Sequence, residues 1–195
     1  MRMVNLIEHF NTNSGFLQSK DISSRNQWRE LSKMLNDSSV SKIKRGLYRL
    51  NDYAQDNSFI EVSNIVPGGI FCMFSAWFYY HLTTTIPHEN HIAVSQHKKI
   101  QLPNYPPVKL YYFSDKFLQM GITQIEIDNR PVKIYDLEKS VCDAVRFRNK
   151  VGMDVAIEVV KNYVLRKDRN FNKLTNYASP LRIEKVIRNM IMPML

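Results

Sequence analysis

Apolar residues recur three and four positions apart through two stretches of the first fifty residues, and these intervals predict helices. Met3, Leu6, Ile7 and Phe10 form one stripe, closed by the turn-forming run Asn11 to Gly15. Ser19 to Asp21 predicts the opening of a short second helix. From Ser24 to Leu35, Trp28, Leu31 and Leu35 fall at i, i+3 and i+7, which predicts a third helix burying that stripe. Arg25, Asn26, Gln27, Arg29 and Lys33 lie off the stripe and should face solvent. Val40 to Leu50 then reads as a basic hairpin: Ile43, Leu47 and Leu50 are apolar, Gly46 supplies the turn, and Lys44 and Arg45 stand at its tip.

The pattern changes after the polar stretch Asn51 to Ser58, which predicts a boundary between a domain of residues 1–57 and one of residues 58–195. Glu61 to Gly69 leads into an apolar run, Ile70 to Tyr80, expected to be a helix ending near His81. His91 to Ser95 and Lys109 to Phe113 read as strands, with a loop around Leu102 to Val108 between them. Ile125 and Ile127, then Val132 and Ile134, alternate with polar residues about a turn at Asp128-Asn129, which predicts a second hairpin. Helices are expected over Asp136 to Phe147, Met153 to Leu165, Asn172 to Ala178 and Ile183 to Met192. The expected fold class is α+β: an N-terminal winged helix-turn-helix, then a mixed domain with a small sheet packed by several helices.

Charge sharpens this outline. The net charge is +9, and Lys plus Arg outnumber Asp plus Glu by 9 to 4 in residues 1–50 and by 8 to 2 in residues 161–195, against 10 to 12 between them. Cationic ends around a neutral middle suit a polyanionic partner. On the third helix, Arg25, Asn26, Gln27, Arg29 and Lys33 combine groups that neutralise phosphates with amides that pair with adenine edges, the chemistry of a major-groove reader. Lys42, Lys44, Arg45 and Arg49 add cations from the hairpin, so DNA is the expected partner.

A second cluster, Arg146, Arg148 and Lys150, ends a predicted helix. These residues either satisfy the last carbonyls of that helix or reach a nucleic acid, with Phe147 as a packing anchor. The apolar run at Ile70 to Tyr80 is far shorter than a bilayer span, and no export signal is expected, which places the protein in the cytoplasm. Cys72 and Cys142 stand alone in apolar contexts and are expected as buried thiols.

Lys44-Arg45-Gly46-Leu47-Tyr48, the stretch from Pro67-Gly68-Gly69 to Ser75-Ala76, and His81 to Thr84 with Ile86-Pro87 and Ile92-Ala93-Val94 form a series of spaced blocks. Pro131 to Tyr135, Glu138 to Asp143 and Arg146 through Gly152 to Ala156 continue it. Together they resemble the AbiEi family, antitoxins of abortive-infection, type IV toxin-antitoxin systems, from about residue 16 to the C-terminus. The resemblance implies a winged helix that represses its own operon at inverted repeats. It also implies a second domain that counters a nucleotidyltransferase-like toxin without stably binding it. Asn36-Asp37-Ser38-Ser39 departs from the family, which has a compact Gly-containing turn there.

No catalytic residue, metal or cofactor is expected. His88-Glu89-Asn90-His91 has its histidines three apart and lacks the helical i, i+4 spacing of a zinc helix. Gly68-Gly69 has no phosphate-loop frame around it. Glu126, Asp128 and Glu138 outline the alternative, a nuclease or nucleotide transferase carried by a DNA-targeting domain. A regulator whose second domain binds a small ligand is the third reading.

Overall fold

The structure is a computed structural model that describes residues 6–53 and 58–195. The protein is α+β and comprises two compact units, the first formed by residues 1–67 with 99–106, the second by residues 68–98 with 107–195.

The first unit opens with α1, Leu6–Thr12, which buries Leu6 and Phe10. Met3 lies outside the described residues, and Ile7 is exposed. β1, Phe16–Gln18, follows, then a single 3-10 turn at Ser19–Asp21 where a second helix was expected. Ser19 is tied to the hairpin through the Gly46 carbonyl, the Ile22 N–H bonds back only as far as the Ser19 carbonyl, and Ile22 is already extended, so the turn goes no further. α2, Arg25–Asn36, is the expected third helix. The Ser24 hydroxyl accepts from the Gln27 N–H, and the Gln27 side chain accepts from the Ser24 N–H, a reciprocal cap that fixes where α2 starts.

β2, Val40–Lys44, and β3, Leu47–Leu50, form the expected hairpin, with an irregularity in register between Lys42 and Lys44. Arg45-Gly46 makes the two-residue turn, and Gly46 has φ 76°, a conformation that costs a side-chain-bearing residue. The sheet order is β1-β3-β2. The Ser19 N–H donates to the Gly46 carbonyl at 2.9 Å, tying the 3-10 turn to the hairpin tip. Leu6, Phe10, Leu17, Ile22, Leu31, Val40 and Tyr48 are the core of this unit.

α3, Ser58–Ile65, also belongs to the first unit. Of the expected boundary segment, residues 54–57 lie outside the described residues.

The second unit is built on a five-stranded mixed sheet of order β6-β5-β4-β8-β7. β4 is Ile70–Phe71, β5 Asn90–Ser95, β6 Val108–Phe113, β7 Ile122–Ile127 and β8 Arg130–Tyr135. β4 lies antiparallel to β5 and parallel to β8, which puts the shortest strand at the centre of the sheet. The expected continuous helix over Ile70 to Tyr80 is therefore divided. Ile70 and Phe71 are strand, and α4 runs only from Met73 to Tyr79. A run apolar on all sides suits a buried strand and a buried helix equally, so periodicity alone does not separate the two. Asp128 and Asn129 turn β7 into β8, both at positive φ, as a tight hairpin requires.

Helices α6, Leu137–Arg146, α8, Met153–Val164, α9, Phe171–Ala178, and α10, Glu184–Ile191, match the four expected segments. Two short helices, α5, Asp115–Leu118, and α7, Arg148–Val151, lie between the expected elements. α6 is the central helix, with Glu138, Lys139 and Asp143 buried alongside its apolar residues. Asp136 caps it by accepting from the Lys139 N–H at 2.8 Å. The Lys139 ammonium donates to both oxygens of Asp143, at 2.6 and 2.7 Å, and sits 4.1 Å from the centre of the Tyr135 ring. Cys72 and Cys142 are buried free thiols.

Candidate nucleic-acid interface

The solvent face of α2 follows from its burial. Leu31 is buried, Met34 and Leu35 are partly buried, and Gln27 and Glu30 are half-buried. With about 100° of rotation per residue, these five cluster on one side of the helix. Arg25, Asn26, Arg29, Ser32, Lys33 and Asn36 are all exposed and occupy the opposite side, with Arg29 near its centre. This face holds three cations, two amides and a hydroxyl, and no carboxylate. Glu30, the only acid within α2, lies away from it.

Trp28 corrects the expected stripe. It is 42% exposed, and the buried face rotates toward Met34 and Leu31. Spacing alone admitted Trp28, Leu31 and Leu35 as a stripe, but the contacts of α2 with α1 and β2 select a different set.

Gln27 was expected as a base reader, but its side-chain oxygen accepts from the Ser23 N–H at 2.9 Å, from the Ser23 hydroxyl and from the Ser24 N–H. Its carbonyl oxygen is committed to the start of the helix.

The hairpin divides its cations. Lys42 and Arg45 are exposed. The Lys44 ammonium donates to the Ile65 carbonyl at the C-terminal end of α3, where the helix dipole favours a cation, and burial lowers its pKa. Arg49 donates from Nη1 to Glu61 at 2.6 Å. Both cations were expected to meet DNA, and both are held by α3. Nothing in the spacing of residues 40–50 signals this, because the partners lie 12 and 21 positions downstream.

The second cluster comes apart in the structure. The Arg146 guanidinium packs on the rings of Phe117, Phe147 and Phe113, at 4.8, 5.5 and 5.9 Å from their centres. Its buried Nη1 has no hydrogen-bond partner among the described residues. Ring faces offer a guanidinium an electrostatic partner that needs no acceptor atom. Arg148 donates to the Val145 carbonyl at the end of α6 at 2.9 Å, while Lys150 remains exposed.

The cationic C-terminal stretch behaves similarly. Arg166 pairs with Asp168, Lys173 with Asp136 and Glu138, and Arg188 with Glu184, while Arg169 donates to the Arg166 carbonyl. Lys161, Lys167, Arg182 and Lys185 are exposed.

The carboxylates that outline an enzyme in the sequence are dispersed. Glu126 and Asp128 are exposed at the β7–β8 hairpin, whereas Glu138 is buried, with Tyr163 and Asn170 as partners. Among the described residues, no cluster of three or more His, Cys, Asp or Glu side chains can hold a metal ion. His91 is buried, its Nδ1 2.9 Å from the Tyr111 hydroxyl, and burial pushes its pKa down to about 4. A cavity of about 390 Å³ beside it is lined by Phe74, Ile86, Glu89 and Lys109 among others. Gly68-Gly69 precede β4 and cap no helix. Among the described residues, no helix is long and apolar enough to cross a membrane.

No protein-family model and no curated protein matches the chain.

Proposed function

We propose that this protein is a DNA-binding antitoxin that represses its own operon. In this reading α2 enters the major groove, the Val40–Leu50 hairpin acts as a wing, and the second unit counters a nucleotidyltransferase-like toxin without stably binding it. The observation that carries the DNA-binding part is the exposed face of α2, where Arg25, Asn26, Arg29, Ser32, Lys33 and Asn36 stand together with no carboxylate among them. Three cations grip phosphates or guanine edges, and two amides match the donor-acceptor pair of adenine. Lys42 and Arg45 extend the cationic surface along the hairpin. The antitoxin role rests on the resemblance of the spaced blocks from residue 16 onward to the AbiEi family.

A gel shift of the full chain against the DNA upstream of its own gene tests the first part. The wild-type chain binds tightly, and the variant carrying Arg25→Ala, Arg29→Ala and Lys33→Ala loses specific binding. Equal affinity of the two would remove α2 as the reading element. For the second part, the full chain co-expressed with the toxin of its own operon restores growth. Failure to do so, with repression intact, would leave a repressor without antitoxin activity.

A further inference from the structure

Trp28 is an exposed indole whose Nε1–H has no hydrogen-bond acceptor among the described residues. It projects from α2 about 100° away from Arg29, the centre of the exposed face, with Arg25 and Ser32 as its neighbours one turn before and after. A large apolar ring left at the water boundary between a cation and a hydroxyl suits a partner with both an apolar surface and an anionic oxygen. Deoxyribose next to a phosphate is such a surface. When a helix lies in a groove with Arg29 toward the base edges, a side chain a quarter-turn away meets the groove wall, which is backbone.

We infer that Trp28 is a backbone clamp for duplex DNA, its indole packed on a deoxyribose and its Nε1–H donated to a phosphate oxygen. This rests on the DNA-binding reading above and extends it to a residue that carries no charge. The contact fixes register and reads no base. Because it releases no counterion, its loss leaves the salt dependence of binding intact, whereas each lost cation reduces that slope by about 0.9.

The test is fluorescence anisotropy with several 30-base-pair duplexes of unrelated sequence and one carrying the upstream region, across a range of salt. Trp28→Ala weakens binding to every duplex by roughly tenfold with an unchanged log–log salt slope, and Trp28→Phe, which keeps a ring and loses the donor, falls between. Trp77 is fully buried, so subtracting the emission of Trp28→Phe from that of the wild type isolates Trp28. That difference signal is quenched when a duplex is added. Wild-type affinity in Trp28→Ala would overturn the clamp, as would a weakening confined to duplexes of one base composition, which would make Trp28 a base contact. Concentration-dependent association that Trp28→Ala abolishes, with DNA binding unaltered, would assign the indole to a second copy of the chain. A wild-type chain that binds none of the duplexes would overturn the DNA-binding reading itself, and the clamp with it.

Discussion

Arg49 donates from Nη1 to Glu61 at 2.6 Å, joining the last strand of the hairpin to α3 across a segment outside the described residues. The Glu61 side chain is 8% exposed and the Arg49 side chain 28%. Removing the arginine leaves a nearly buried carboxylate without its counter-charge, whereas removing both leaves neither group stranded. Arg49→Ala should cost about 2 kcal/mol of stability, less than a fully buried pair because the arginine keeps some water. Adding Glu61→Gln should recover part of that loss. Urea melts of the two single variants and the double variant measure the coupling, and additive losses would show that the pair contributes nothing.

Gln27 and Arg29 differ by two positions and should differ in kind. Gln27→Ala removes half of the reciprocal cap on α2 and should lower stability by about 1 kcal/mol, with the ratio of specific to non-specific DNA binding unchanged. Arg29→Ala should leave the melting temperature within error and weaken specific binding by about 1 to 3 kcal/mol. Thermal melts paired with gel shifts separate the two. A Gln27→Ala protein that melts normally and loses sequence preference would return Gln27 to the reading face.

The exposed cations of α2 and of the hairpin are Arg25, Arg29 and Lys33 on the helix and Lys42 and Arg45 on the hairpin. If all five make contact, the slope of log affinity against log salt should be about −4.5. Lys44→Ala and Arg49→Ala should leave that slope unchanged, because α3 already holds both side chains. Arg45→Ala should make it shallower by about 0.9. A shallower slope for Lys44→Ala or Arg49→Ala would mean that DNA draws these cations away from α3.

Lys139 and Asp143 lie wholly inside the second unit with no exposure of either side chain. Burial pushes the Asp143 carboxyl up, and the adjacent ammonium pulls it back. Lys139→Met removes the counter-charge and should destabilise by about 3 to 5 kcal/mol, enough to unfold a marginal protein at 37 °C. Lys139→Met together with Asp143→Leu should be far milder. Circular dichroism melts decide, and a harmless Lys139→Met would show that the cavity admits water to Asp143.

His91 makes stability depend on pH in a direction its environment sets. Its folded pKa is about 4, below the ordinary 6.5, because burial disfavours the imidazolium. The unfolded chain therefore takes up the proton first as pH falls. The contribution is fully present above about pH 6.5 and declines toward pH 4. Between pH 7 and pH 5 the loss should be about 2 kcal/mol. His91→Gln removes the titrating group, so its stability should change less over the same range, and parallel urea titrations at the two pH values give the comparison. An unchanged pH dependence would show that other groups carry it.

Local periodicity determined a good part of this protein. The α2 helix, the hairpin from Val40 to Leu50 and the four long helices of the second unit were legible because each is specified by neighbours within a turn or a strand pair. The exposed cations of α2 and of the hairpin tip were legible for the same reason. Tertiary structure decided the rest. Ile70 and Phe71 became the central strand because β5 and β8 lie on either side of them, which an all-apolar run does not announce. Trp28 turned outward because α1 and β2 meet α2 on the Leu31 and Met34 side. Lys44, Arg49 and Arg146 read as free cations along the chain, yet each is held by a partner supplied from another element. A charge records in the sequence only that it is present, and whether it faces solvent depends on which distant carbonyl, carboxylate or ring the fold brings within about 3 to 6 Å of it.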